Sequence, residues 1–305
     1  MLLGCGCDEA ATEPAGRAAS AASPTQAPTA LPPEQPTLFQ RLDAAAAGVT
    51  FRNHLPQTDQ LNVLRYQYYY NGGGVALGDV DGDGRLDIYL TANLGPNHLY
   101  LNDTPAGTSQ LRFREVGAQA GVAGLRGEWS TGVTMVDVEG DGDLDIYVCR
   151  SGRLPAEKRA NALYVNDGRG RFTDRAAEVG LADTGFSTHA SFFDYDLDGD
   201  LDAFVLNHGI DPLGSEGREL SDIESERHPD VGDRLYRNDD GRFVDVSEEA
   251  GIEGNALGYG LSVSIGDLNG DGAPDIYVAN DFLEHDYLYV NQRDGTFVEA
   301  SARAL

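Results

Sequence analysis

Asp79, Asp81, Asp83 and Asp87 put four carboxylates into nine residues of the stretch GDVDGDGRLDIYL. At an effective dielectric of about 20, two carboxylates roughly 4 Å apart repel by about 4 kcal/mol, so a positive charge must offset them. The pattern D-x-[DEN]-x-D-G-x-x-D occurs three more times. Its acidic or amide positions are Asp137, Glu139, Asp141 and Asp145, then Asp194, Asp196, Asp198 and Asp202, then Asp267, Asn269, Asp271 and Asp275. A donor set made only of oxygen suits a hard cation, and six to eight oxygens at about 2.3–2.6 Å describe Ca²⁺. The expectation is one Ca²⁺ per loop, about four in all. Position 7 varies (Arg85, Asp143, Asp200, Ala273), as it can if its backbone carbonyl is the ligand. Position 6 is Gly84, Gly142, Gly199 or Gly272, which permits the positive φ of a sharp turn around one centre.

The loops differ from an EF-hand, which closes with a bidentate glutamate at position 12 between two helices. Position 12 here is Leu90, Val148, Val205 or Val278. Ligation must close instead at position 9, with Asp87, Asp145, Asp202 and Asp275. No paired Cys or His accompanies the loops, so zinc does not fit. Solvated acidic turns would not keep one register through four copies.

The elements that position these loops repeat with them. The loops begin at 79, 137, 194 and 267, intervals of 58, 57 and 73 residues. Before each lies a short strand (GVALGD, GVTMVD, HASFFD, LSVSIGD) and after each another (DIYL, DIYV, DAFV, DIYV). Then come HLYLN, ALYVN, RLYRN or YLYVN, and an aromatic strand LRFREV, GRFTDR, GRFVDV or GTFVEA. Four short strands per unit of this length describe a β-propeller blade. In LDIYL, Leu86, Ile88 and Leu90 face one way and Tyr89 the other, so both faces are apolar, as stacked blades require. A half-exposed sheet would alternate apolar with polar, and a two-sheet sandwich rarely repeats itself this faithfully. The fold class read from this is all-β, a propeller of four-stranded antiparallel blades with four complete blades. The long interval holds an insertion at residues 211–232, read as an exposed loop.

The formal charge is −28, from 50 acidic and 22 basic residues, which excludes nucleic acid as a partner. No apolar run is long enough to span a bilayer. Residues 1–7 contain Leu2-Leu3-Gly4-Cys5, which resembles a bacterial lipobox, with Cys5 as the lipidated residue. Residues 8–37, rich in Ala, Pro and Thr, read as a disordered linker to blades over 38–305. Membrane contact is expected only through that anchor, and the location as extracellular or the cell envelope. Cys149 reads as a small buried apolar residue. The six histidines show no metal spacing, and His98 reads as an ordinary strand residue. RYQYYYNGGG, residues 65–74, reads as a strand packing its rings on a neighbouring blade, and its glycines make no phosphate loop.

The loops and the stretches NGGGVALGDVDGDGRLDIYLT, FFDYDLDGDLDAFVLNH, LYRNDDGRFVDVSEEAGI and VANDFLEHDYLYVNQRDGTF resemble FG-GAP, or VCBS, repeats of integrin α-subunit propellers. They are similar above all to the cartilage acidic protein group, in which such repeats precede an ASPIC/UnbV domain. The resemblance implies a seven-bladed Ca²⁺-binding propeller, extracellular or surface-exposed, that recognises or adheres to a protein or glycan. Four blades would make this an incomplete, open version. TLFQRLDAAAAGV at 37–49 matches GRFVDVSEEAGI at 241–252, as if it closed a last blade that lies elsewhere. The expected partners are therefore a protein or glycan ligand and the remainder of the propeller. The expected role is non-catalytic. The alternative is a propeller attached to a polysaccharide-degrading enzyme, which His189, His208, Asp211 and the tyrosines of 65–70 would favour by meeting in one deep cleft.

Overall fold

The computed structural model describes residues 39, 41–210, 219–224, 226–282 and 284–301. Alternating, β-branched and aromatic-rich segments form sixteen strands. β1–β4 are Val75–Gly78, Asp87–Leu90, His98–Asn102 and Phe113–Glu115; β5–β8 are Ser130–Val136, Asp145–Arg150, Ala162–Asn166 and Phe172–Asp174. β9–β12 are Ser187–Phe193, Asp202–Asn207, Arg234–Asp239 and Arg242–Asp245; β13–β16 are Gly260–Gly266, Asp275–Asn280, Tyr287–Asn291 and Phe297–Glu299. Each set of four is one antiparallel sheet in chain order. The all-β fold of four propeller blades is as the repeat pattern implies. Each acidic loop joins the first two strands of its blade, as in the pairing of Gly78 with Asp87.

The blades stack in sequence, β1 against β5, β5 against β9 and β9 against β13. The core therefore lies between sheets. Blade 1 and blade 2 enclose Tyr89, Leu99, Val133, Ile146 and Tyr164. Blades 2 and 3 enclose Tyr147, Leu163, Ala190, Val205 and Tyr236, with Cys149 buried among them. Blades 3 and 4 enclose Phe204, Leu206, Ile276, Val278 and Tyr289. Burying one Leu- or Phe-sized side chain contributes about 1.5–3 kcal/mol, so these shared faces hold neighbouring blades together.

Three expectations need correction. The run at 65–74 is no strand: Gln67–Tyr70 is a 3₁₀ turn, and Tyr66, Tyr68 and Tyr69 cluster with Trp129 and Tyr259. The Tyr66 hydroxyl meets Ser151 Oγ at 3.0 Å and His208 Nε2 at 3.1 Å, and the Tyr68 hydroxyl donates to Tyr259 O at 3.0 Å. The segment thus forms a plug over Trp129, Ser151, His208 and Tyr259, residues that flank the first and second strands of blades 2, 3 and 4. Aromatic pairs favour edge-to-face contact, and Tyr66 meets Trp129 that way, with ring centroids 5.4 Å apart. The described residues of the insertion at 211–232 are not all exposed loop: Leu220–Glu224 is helical, and Ile223 and Val231 are buried. The segment expected to form a strand at 37–49 shows none at Phe39, Arg41 or Leu42. Its later part does follow the repeat, because Phe113 N donates to Ala47 O as Phe297 N donates to Ala250 O, each at 2.8 Å. The lipobox-like residues 1–7 and the linker 8–37 lie outside the described residues, as does Asp211. No helix among the described residues is long and apolar enough to cross a membrane.

Candidate metal centres

Each acidic loop folds on its own carboxylates. In loop 1, Asp79 accepts from Asp83 N (3.1 Å) and Gly84 N (2.7 Å), which curls the turn around position 1. Asp137, Asp194 and Asp267 do the same in loops 2, 3 and 4. The position-6 glycines all take positive φ, from 83° at Gly84 to 103° at Gly199. Position 4 does so too, and in loop 3 it is Leu197 at φ 66°, a cost the sequence did not flag.

Position 9 anchors the loop to the blade. Asp87 is buried and accepts from Val80 N (3.0 Å) and Asn102 N (2.8 Å), joining the loop, β2 and β3. Asp145, Asp202 and Asp275 repeat these two bonds. The asparagine of LYLN, LYVN or LYRN is thus part of the loop's frame, a role that repetition of its position signals and that the motif alone does not.

In loops 1 and 3 the carboxylates converge. Asp79, Asp81 and Asp87 bring one oxygen each within 4.8 Å of one another, and so do Asp194, Asp196 and Asp202. Positions 1, 3 and 9 form these groups. The position-5 residues Asp83 and Asp198 instead accept from the N–H groups of Arg85 and Asp200. The Arg85 guanidinium pairs with Asp83 and reaches Asn102 O. Asp81 Oδ1, Asp196 Oδ1 and Asp200 Oδ1 are buried with no hydrogen-bond partner. A buried carboxylate oxygen without a donor needs a cation or a proton. Burial pushes Asp87 up to about 6 and Asp202 up to about 7, with neighbouring carboxylates adding to the shift. Crowded oxygens that resist ionising alone are the donor set that a Ca²⁺ would neutralise.

Loops 2 and 4 are built differently. Glu139 Oε1 lies 3.4 Å from Arg175, and burial and the Asp145 carboxylate push Glu139 up to about 7. The Asp141 carboxylate accepts from Asp143 N. In loop 4, Asn269 Nδ2 donates to Asp271 Oδ2 at 3.0 Å. Arg293 donates to the Asp271 carbonyl, Asp271 Oδ1 accepts from Ala273 N, and Asp275 is buried at the strand edge. In loop 2 the arginine holds the position-3 side chain itself, and in loop 4 position 3 is an amide, whereas Arg85 of loop 1 pairs with position 5 and leaves Asp81 to the cluster.

The histidines do not form an open cleft with the tyrosines. His208 is buried with Nε2 2.7 Å from Ser151 Oγ and its ring 4.4 Å from that of Tyr68, inside the plug. Burial holds its imidazole down to about 4. His189 lies on β9 against Gly132 of the neighbouring blade. His98 is a strand residue stacked beside Tyr100.

Blade order, hairpin loops and repeated carboxylates agree with the comparisons. The FG-GAP-like repeat family matches residues 79–148, 154–205, 227–278 and 267–305. The chain belongs to the FG-GAP-like repeat family. Among relatives, it is similar to cartilage acidic protein 1 of Homo sapiens, 26% identical over 220 residues, which cover 69% of this chain and 30% of that protein. It is also similar to cartilage acidic protein 1 of Mus musculus, 26% identical over 273 residues, covering 87% of this chain and 40% of that protein. The FG-GAP chain thus spans well under half the length of these relatives. A solved structure of an Agrocybe aegerita lectin, concerned with specific recognition of non-reducing terminal N-acetylglucosamine, aligns with a TM-score of 0.37 and 18% identity, covering 73% of this chain and 49% of that one.

Proposed function

We propose that this is a calcium-loaded propeller module of the cell surface or extracellular space that recognises a protein or glycan and carries out no chemistry itself. The observation that carries the reading is the convergence of Asp79, Asp81 and Asp87, and of Asp194, Asp196 and Asp202, with Asp81 Oδ1 and Asp196 Oδ1 buried and unpartnered. Carbonyls of the loop and water would complete six to eight oxygens. Exposed oxygen-only loops of this kind suit the weak, roughly 10⁻⁴–10⁻³ M, affinities of extracellular calcium modules. A surface location fits an affinity in that range, since loops so weak fill only where calcium is abundant. Non-catalytic recognition is supported by the placing of His208 and Ser151, the one close nucleophile–base pair of the plug, in the closed interior. Calorimetric titration of the chelator-treated protein with Ca²⁺ and with Mg²⁺ tests the metal. Saturable Ca²⁺ binding is expected, with Mg²⁺ much weaker; no heat and no change in melting would overturn it. A glycan array and an envelope-extract pull-down, each with Ca²⁺ and with chelator, test recognition.

A further inference from the structure

Loop 4 departs from the other three loops at one dipeptide. Positions 3 and 4 are Asp81–Gly82 in loop 1, Glu139–Gly140 in loop 2 and Asp196–Leu197 in loop 3, but Asn269–Gly270 in loop 4. An acid in place of the Asn269 amide would give DLNGDG the ligand pattern of DVDGDG. Asparagine before glycine is the pair most open to cyclisation, because the glycine nitrogen can attack the side-chain Cγ with no Cβ in the way. Here both residues are exposed, Gly270 takes φ 79°, and open space surrounds it.

Three hydrogen bonds set this pair for the reaction. Asp271 N donates to Asn269 Oδ1 at 2.9 Å. That bond folds the side-chain amide back over the Gly270 nitrogen and aims a donor at the oxygen where charge develops during attack. Gly270 N donates to Asp267 Oδ1 at 2.7 Å, so a carboxylate lies within reach of the proton that this nitrogen must lose. Asn269 Nδ2 donates to Asp271 Oδ2 at 3.0 Å, which fixes the plane of the amide. The bond to Asp267 sets loop 4 apart. Among the described residues, Asp79, Asp137 and Asp194 accept from positions 5 and 6 of their loops and not from position 4.

We propose that Asn269–Gly270 is a self-modifying site, at which loop 4 turns its own asparagine into aspartate without an enzyme. The Gly270 nitrogen bonds to Asn269 Cγ while Asp267 takes its proton. The Cγ–Nδ2 bond breaks, and the amide nitrogen leaves as ammonia with that proton. Water then opens the cyclic imide. Breaking the new Cγ–N bond gives aspartate, and breaking the original backbone C–N bond gives isoaspartate. The aspartate supplies loop 4 with the position-3 carboxylate that Asp81 and Asp196 bring to the two convergent groups. That this carboxylate serves a calcium ion rests on the function proposed above.

The test ages the full chain at neutral pH in chelator and follows its peptides by mass spectrometry. Beside it runs Asp81→Asn, which puts the same dipeptide into loop 1. Asn71–Gly72, where Asn71 is also exposed, is the internal standard. The Asn269 peptide is expected to gain the mass of an acid several-fold faster than the Asn71 peptide and than the loop-1 peptide of Asp81→Asn. Asp267→Ala is expected to slow it. A protease that cuts before aspartate, and not before isoaspartate, tells the products apart. Conversion at 269 no faster than at Asn71, or unslowed in Asp267→Ala, would overturn the proposal. So would isoaspartate as the sole product. Asn269→Asp tests the calcium reading separately: by calorimetry it is expected to bind Ca²⁺ at loop 4 several-fold more tightly than freshly prepared wild type. If Asn269 converts as expected while Asn269→Asp binds no tighter, calcium is removed from loop 4 and the modification stands.

Discussion

The position-3 and position-9 aspartates look alike in sequence and do opposite things to the fold. Asp202 accepts two backbone N–H groups that have no other place to go, while Asp196 Oδ1 is buried without a donor. Replacing Asp202 with Asn turns one acceptor into a donor against a backbone N–H and is expected to cost roughly 1–3 kcal/mol with or without calcium. Asp196→Asn is expected to leave the calcium-free protein at least as stable while weakening Ca²⁺ binding. Urea denaturation in chelator and in calcium separates the two, and equal losses in both media for Asp196→Asn would count against a metal at loop 3. Protonation gives a second handle. Burial raises Asp87 to about 6 and Asp202 to about 7. A carboxyl raised in the fold contributes stability as the neutral acid, fully present below its ordinary value near 4 and lost as pH rises through 6–7. Calcium needs the ionised form, so its affinity should fall between pH 7.5 and 5.5, with protons released on binding at pH 6. Calorimetry in buffers of different ionisation enthalpy measures that release.

At the scale of one loop or turn, repetition made the reading possible, and its failures fall where repetition stops. The acidic loops, their strands and their glycines recur four times, so their period, register and hairpin geometry were legible. The plug at 65–74 occurs once, its partners Ser151, His208 and Tyr259 lie in later blades, and its aromatic run reads equally well as a strand. The asparagines at 102, 166, 238 and 291 repeat as faithfully as the aspartates, yet only coordinates show that their N–H groups complete the loop frame. Loop inequality was legible only in part. Asn269 lowers the carboxylate count of loop 4, whereas the turn of Glu139 toward Arg175 in loop 2 depends on a residue outside the motif. Loops 1 and 3 should therefore bind Ca²⁺ more tightly than loops 2 and 4, since affinity follows ligand charge and rigidity. Titrating Asp81→Asn, Glu139→Gln, Asp196→Asn and Asp271→Asn checks the order; loss of the tightest site in the Asp271 variant would reverse it. Tyr66→Phe, which removes a hydroxyl partner from Ser151 and His208 and leaves their own 2.7 Å contact, is expected to cost about 1 kcal/mol by thermal or urea denaturation.

For the whole molecule, mass action sets the worth of the ions. At about 2 mM Ca²⁺ and a Kd of 10⁻⁴–10⁻³ M, each filled site stabilises by roughly 0.6–1.8 kcal/mol, so two filled loops contribute about 1–4 kcal/mol. That is a large part of the roughly 5–15 kcal/mol typical of a domain, and excess chelator should lower the melting temperature by several degrees. An unchanged melting curve for protein shown to be calcium-free would remove metal from the account of stability. The plug has a further consequence, in time rather than in energy. The tyrosines near residue 66 leave the ribosome long before His208 and Tyr259, partners that lie 142 and 191 positions further along the chain. Neighbouring blades can pair as they emerge, but the centre cannot be pinned until the fourth has been made. Contacts of such long sequence separation form late and slowly, so the plug acts as a closing step of folding. Removing the Tyr66 hydroxyl should then speed unfolding and leave the refolding rate nearly unchanged, as stopped-flow kinetics would read directly.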